Sequence, residues 1–214
     1  MDESFWLQKW ERNEIAFHER EANQALVKYF HKLPLAKGGR VFVPLCGKTL
    51  DIAWLLSRGC RVAGVELSEK AIMELFADLG VKPERFPSGK MVRYSGNDID
   101  IFCGNIFDAT ADMLGPIHAV YDRAALVALP QDVRGRYTSH LVRITANAPQ
   151  LLVSYEYDQP LMDGPPFSVC DEEVRRHYEG RYHVTPLESI DIPGGLKRKC
   201  PAKENIWLLQ KKNG

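Results

Sequence analysis

Residues 40–66 read RVFVPLCGKTLDIAWLLSRGCRVAGVE, and this stretch decides the fold. A short apolar run, Val41 to Val43, stops at Pro44. A turn bearing one glycine follows (Leu45, Cys46, Gly47, Lys48), then a helix-period segment, then a second apolar run that ends on Glu66. The pattern predicts a strand, a tight turn, a helix and a parallel strand, which is a βαβ unit. The helix places Leu50, Ala53, Trp54 and Ser57 on one face, and Gly59 falls where a left-handed C-terminal stop belongs.

In such a unit a ligand binds beyond the carboxyl ends of the strands, where the first turn lets the backbone approach it. Gly47 gives that approach. An acid closing the second strand, about twenty residues after the turn, can accept both hydroxyls of a ribose. Glu66 is therefore the first candidate contact; a solvated strand-end acid ahead of a Ser68 helix cap is the alternative reading. A diphosphate-binding turn needs three glycines so that a helix N-terminus can face the pyrophosphate, and this turn has only Gly47. The phosphate-loop pattern is absent too, since Gly47-Lys48-Thr49 has no glycine five residues upstream. A nucleoside ligand without phosphates remains, and S-adenosylmethionine is the common one.

The 214 residues, 45% hydrophobic and 26% charged, suit a single globular domain, 1–214, with a full core. Basic and acidic residues balance at 28 each, so no basic field exists to gather phosphates and no nucleic-acid partner is expected. Five widely spaced cysteines, without Cys-x-x-Cys spacing, read as reduced thiols and predict no metal site. The start, MDESFWLQKW, has no basic-then-apolar signal pattern. No apolar run approaches the roughly twenty residues of a membrane span. A cytoplasmic protein with a small-molecule partner, acting as a monomer, is the expectation.

Along the chain, a short helix is predicted from Ser4 to Asn13 and a second from Glu19 to Leu33, forming a helical cover over residues 1–33. Trp10 and Phe17 in this cover read either as core packing or as aromatic faces over the crevice, able to attract a sulfonium cation. Ser68 starts a helix with Ile72, Leu75, Phe76 and Leu79 as its buried stripe. Residues 83–89 read as a loop, and 90–95 and 98–103 as strands joined at Gly96-Asn97. Ile106, just beyond, reads either as an adenine-sandwiching side chain or as part of an ordinary strand-to-helix turn. Strand 117–121 ends in Asp122-Arg123. The Arg123 guanidinium needs a carboxylate, ligand or water there, a surface pair with Asp122 being the alternative. A helix over 131–147, a strand over 151–157, a stiff Gly164–Phe167 loop, a helix over 171–178 and two terminal strands complete the chain. The expected architecture is an α/β, Rossmann-like three-layer sandwich with a mostly parallel seven-stranded sheet and an antiparallel terminal strand.

Taken together, FWLQKW with AFHE, VFVPLCGK with VAGVE, GNIFD, YDRAALVALP and DGPPF resemble the thiopurine S-methyltransferase family, most closely its bacterial branch, within the class I S-adenosylmethionine-dependent methyltransferases. The resemblance spans nearly the whole chain. It implies S-adenosylmethionine contacts at Trp10, Leu45, Glu66 and Arg123, an adenine contact at Ile106, an acceptor pocket lined by Phe17, and an acceptor-side loop at Gly164–Phe167, including Pro166. Asn105 stands where animal members have serine, and the N-terminus is shorter than theirs.

The implied reaction moves a methyl from a sulfonium to a thiol sulfur by in-line displacement, with S-adenosylhomocysteine as product. Arg123 is the candidate catalytic residue, favouring the thiolate; no histidine sits in a recognisable catalytic constellation. Rival readings are a non-catalytic adenosyl-ligand binder, a nicotinamide-dependent dehydrogenase, disfavoured by the single glycine, and a methyltransferase for selenium or tellurium species.

Overall fold

The computed structural model describes residues 3–15, 19 and 21–212. Phe17 and His18 lie outside the described residues. After helix α1 (Glu3–Glu11) and the short α2 (Gln24–Tyr29), the chain enters β1 (Arg40–Pro44), α3 (Leu50–Ser57), β2 (Arg61–Glu66) and α4 (Glu69–Asp78). Strands β3 (Glu84–Ser88), β4 (Met91–Gly96) and β5 (Ile99–Cys103) follow, then α5 (Ala111–Leu114), β6 (Ala119–Arg123), α6 (Gln131–Ile144) and β7 (Gln150–Tyr157). Helix α7 (Asp171–Tyr178) and the long strands β8 (Tyr182–Asp191) and β9 (Ala202–Lys211) close the fold.

All strands form one sheet in the order β3-β4-β5-β2-β1-β6-β7-β9-β8. The five central strands, β5 to β7 in that order, pair in parallel, and an antiparallel arm flanks them on each side. The sheet thus has nine strands rather than the expected seven. One reason is residues 83–89, expected as a loop: β3 is exposed along almost its whole length and holds Pro87, so neither alternation nor composition marks it as a strand. Proline is tolerated there because β3 is an outer strand with a ladder on one side only. The opposite outer strand, β8, also carries a proline, Pro186, at a register shift against β9.

Successive side chains of a strand point to opposite faces, and the core divides accordingly. Val41 and Val43 of β1 join Val62, Ile101 and Tyr121 on the face covered by α2, α3 and α4, where Leu26, Ile52, Leu55, Ile72 and Phe76 pack. Phe42 of β1 joins Ala63, Phe102, Val120 and Leu152 on the other, with Tyr137, Leu141 and Val174 from α6 and α7. These two cores make three layers.

Capping fixes where the helices begin. Asn23 caps α2, its Oδ1 accepting from Ala25 N at 2.9 Å, so this helix starts later than the expected Glu19, within the described residues. Ser68 caps α4 through Ala71 N, and Gly59 and Gly80 adopt the left-handed conformation at helix ends. The face of α3 differs from expectation: Asp51, Ile52 and Leu55 are buried, whereas Leu50, Ala53, Trp54 and Ser57 are not. Residues 50–56 are apolar nearly all round, so periodicity does not choose a face.

Candidate active site

The parallel order reverses at β1, which continues to β2 on one side and meets β6 on the other. A ligand crevice belongs at such a switch point, beyond the carboxyl ends of the strands. It is present there, with about 1110 Å³ of empty space including its open mouth. Its walls come from the β1 turn (Leu45, Cys46, Gly47), the end of β2 (Glu66), the segment after β5 (Asn105, Ile106), the end of β6 (Tyr121, Arg123) and the cover helix α1 (Trp6, Trp10).

Glu66 is 5% exposed. One carboxylate oxygen accepts from Gly47 N at 2.8 Å and the other from Ser68 N, also at 2.8 Å. The acid thus ties the β1 turn to the start of α4. Burial pushes its pKa up, and the backbone N–H donors oppose that shift. Each oxygen can accept more than one hydrogen bond, so the carboxylate remains able to receive a pair of ribose hydroxyls.

Above the turn lies Trp10, itself 3% exposed. A Cβ on Gly47, whose φ is +52°, would approach the Trp10 ring to 2.9 Å. Gly47 therefore serves two needs, a left-handed backbone and a close indole. Helix α1 is pinned from both sides: Lys70 Nζ donates to the carbonyl of Trp10 at 3.0 Å, and Asn105 Nδ2 donates to Glu3. A pyrophosphate has no place on this turn, because the glycine N–H it would use is already donated to Glu66 and the indole closes the space above.

Two non-glycine residues at this end of the sheet have positive φ, Leu45 at +45° and Ala124 at +64°. Each costs of order 1–2 kcal/mol in backbone strain, and such strain gathers where a fold holds a binding site open. Cys46 is buried and lines the crevice. Burial first, and then the Glu66 charge, push its thiol pKa well up, so it stays protonated and serves as packing.

Ile106 is buried in the short turn after β5, which Asn105 caps by accepting from Phe107 N at 2.8 Å. Its carbonyl oxygen lies 2.9 Å from His140 Nε2, while Arg143 Nη2 lies 2.8 Å from His140 Nδ1. Arginine only donates, so Nδ1 is the acceptor and Nε2–H donates to Ile106. Burial holds the His140 pKa down. This histidine buttresses the turn from behind.

Arg123 is not paired with Asp122. The Asp122 side chain turns into the opposite core, accepting from Leu126 N at 3.1 Å and from Tyr137 Oη at 2.8 Å. Arg123 instead donates to Glu19. Burial works against its charge, but Tyr155 and Glu19 outweigh that and raise its pKa, so the guanidinium stays cationic. Among the residues lining the crevice, three carboxylates (Glu3, Asp51, Glu66) face this single guanidinium, a balance that favours a cationic ligand over a polyanion.

Trp10, Leu45, Glu66, Ile106 and Arg123, singled out in the sequence, all line this crevice. Pro166 does not line it among the described residues; its carbonyl accepts from Tyr157 Oη at 2.7 Å, within a loop tied to Val127 O through Phe167 N. Phe17 lies outside the described residues. The sequence does not mark Asp51, Tyr121 or His140, because each acquires its place from partners far away in sequence.

The thiopurine S-methyltransferase family model matches residues 1–212. A thiopurine S-methyltransferase of Xanthobacter autotrophicus is 57% identical over 99% of this chain and 100% of its own length. Another, of Teredinibacter turnerae, is 48% identical over 99% of this chain and 98% of its own. Among solved structures, the Burkholderia thailandensis 1,6-didemethyltoxoflavin-N1-methyltransferase, crystallised with S-adenosylhomocysteine, superposes with a TM-score of 0.66 at 15% identity, covering 98% of this chain and 87% of that one; at that identity the likeness speaks to fold. Sequence, fold and crevice agree: the chain belongs to the thiopurine S-methyltransferase family of class I S-adenosylmethionine-dependent methyltransferases.

Proposed function

We propose that this chain transfers a methyl group from S-adenosylmethionine to the sulfur of aromatic or heterocyclic thiols such as thiopurines. The observation that carries this reading is the buried Glu66 carboxylate under Trp10, in a turn whose glycine N–H is already taken. That arrangement suits a phosphate-free adenosyl ligand, and the relatives named above supply the acceptor class.

The bound cofactor supplies a methyl on a positively charged sulfur, which passes to the acceptor sulfur as the old C–S bond breaks. When the cofactor is bound, Glu66 would hold its ribose, Ile106 would lie by its adenine, and Leu45 and Trp10 would contact it from the turn and the cover helix. Arg123, cationic and largely buried, favours the thiolate over the thiol, whose proton leaves to solvent. No histidine base is needed. Charge is lost as the new bond forms, so an apolar, aromatic-walled crevice suits the transition state better than water. Alignment of the two sulfurs contributes several kcal/mol, up to about 7–11 in ideal intramolecular cases. The acceptor side is assigned to Phe17 and to the loop holding Pro166 on family resemblance. Helix α1 acts as a cover over the crevice of a single methyltransferase domain, and the protein works as a monomer.

The test is an acceptor screen with purified protein and methyl-labelled S-adenosylmethionine. Label should move to aromatic thiols and not to their oxygen analogues. Absence of transfer to every thiol tried would remove the assignment.

A further inference from the structure

Arg134 of α6 is 2% exposed, a burial that a guanidinium tolerates only when it is paired and hydrogen-bonded. Its Nε donates to the carbonyl of Leu129 at 2.8 Å. Its Nη1 donates to the carbonyl of Ser168 at 3.0 Å and to the Glu173 carboxylate of α7 at 2.9 and 2.8 Å. Glu173 is itself buried, and the guanidinium carbon lies 5.7 Å from the centre of the Phe167 ring. Replacing a buried ion pair by apolar side chains of similar volume often costs a fold nothing. What such a pair adds is direction, since the planar fork of an arginine fixes where its acceptors lie.

Those acceptors sit on two separate segments. Leu129 lies in the crevice wall, between Ala128 and Pro130, just after the short turn Leu126–Ala128 that follows β6. Ser168 immediately follows the Gly164–Phe167 loop. The same loop is laid on the same turn by Phe167 N, which donates to Val127 O at 2.7 Å. The Phe167 ring packs so closely against Gly164 that a Cβ there would meet it at 2.5 Å. Arg134 thus bridges wall and loop from behind, and among the described residues it does not itself line the crevice. We infer that Arg134 is a positioning residue for methyl transfer: by holding Leu129 and Ser168 to one guanidinium it sets the spacing between crevice and loop, and with it the line along which the acceptor sulfur meets the methyl. The inference rests on the reading of this loop as the acceptor side, and it names the group that would keep that side in place.

Kinetics and calorimetry on two variants separate positioning from mere packing. A double variant, Arg134→Met with Glu173→Leu, leaves neither charge of the pair buried alone and should fold. It should bind S-adenosylhomocysteine within about twofold of the unmodified protein, while kcat/KM for an aromatic thiol falls about 10- to 100-fold, as when reacting atoms are displaced by an ångström or less. Arg134→Lys keeps a charge opposite Glu173 but has no fork, and its kcat/KM should lie between those of the double variant and the unmodified protein. A folded double variant with unchanged kcat/KM, or one whose affinity for S-adenosylhomocysteine falls as far as its kcat/KM, overturns the inference. If the double variant does not fold, Arg134→Lys decides by the same comparison, with unchanged kcat/KM or a parallel loss of cofactor affinity again overturning it. Unmodified protein that methylates no thiol would instead refute the acceptor reading itself.

Discussion

Replacing Glu66 by glutamine tests the centre of the site, because the side chain that ties two backbone segments together is also the one proposed to hold the ribose. Both carboxylate oxygens accept backbone N–H groups, from Gly47 and Ser68, at 2.8 Å each. An amide has a single acceptor oxygen, so in either orientation its NH₂ faces one of these donors. A buried donor left unmet costs about 1–3 kcal/mol. Relief of the buried charge offsets part of this, which places the expected loss of stability without ligand at about 1–2 kcal/mol, or a fall in Tm of roughly 2–8 °C for a chain of this size. The effect on binding is larger. Two ribose hydroxyls can donate to a carboxylate, and the amide keeps one weaker acceptance; losing a charge-assisted hydrogen bond costs about 1.5–3 kcal/mol, or about 10- to 150-fold in Kd. Calorimetric titration with S-adenosylhomocysteine at fixed pH and salt reads this directly, alongside thermal unfolding of the unliganded protein. Adenine alone, which has no sugar, should bind both proteins equally. A folded Glu66→Gln variant with unchanged affinity for S-adenosylhomocysteine would refute the ribose assignment.

Other outcomes follow from neighbouring groups. Gly47→Ala combines about 1–2 kcal/mol of left-handed strain with a 2.9 Å approach to Trp10; it should shift tryptophan emission and weaken cofactor binding, and an unchanged spectrum would contradict the packing of α1. Arg123→Ala should lower the methylation rate while circular dichroism stays native; full activity would remove Arg123 from the mechanism. Asp122 is fully buried, and burial first raises its pKa from 3.8 to about 6, against hydrogen bonds from Leu126 and Tyr137. The folded protein therefore holds a proton that the unfolded chain has released, so this group's contribution to stability falls as pH rises from about 4 to about 6 and is level above. The change is on the order of 3 kcal/mol. Urea unfolding across that range should show a pH-dependent difference between the protein and Asp122→Asn; a constant difference would contradict the burial of a titrating acid.

Much of this was legible in one dimension because the relevant signals are local. The run from Arg40 to Glu66 encodes strand, turn, helix and strand in its own periodicity, and the acid closing β2 is placed in the crevice by its position in that unit alone. The Ser68 cap and the Gly59 and Gly80 stops likewise depend on nearest neighbours. What was not legible depends on distant partners. Asp51 looks like an ordinary first-turn acid until Asn23 N is found beneath it and Tyr121 beside it. His140 looks like a helix-surface residue until its ring meets the Ile106 carbonyl. Arg123 sits next to Asp122 in sequence, yet successive residues on a strand point to opposite faces, so its partner comes from the entry segment instead. The burying face of α3 was hidden for the opposite reason: nearly every residue there is apolar, and a helix hydrophobic all round carries no phase.

The two outer strands of the sheet bear on how the protein behaves in a crowd. Each ends the sheet with a proline, Pro87 on β3 and Pro186 on β8. A terminal row of free backbone groups is a template on which a second chain can lay its own strand. A ring in place of a hydrogen interrupts that row on both margins. Self-association by sheet extension is thus discouraged at either flank.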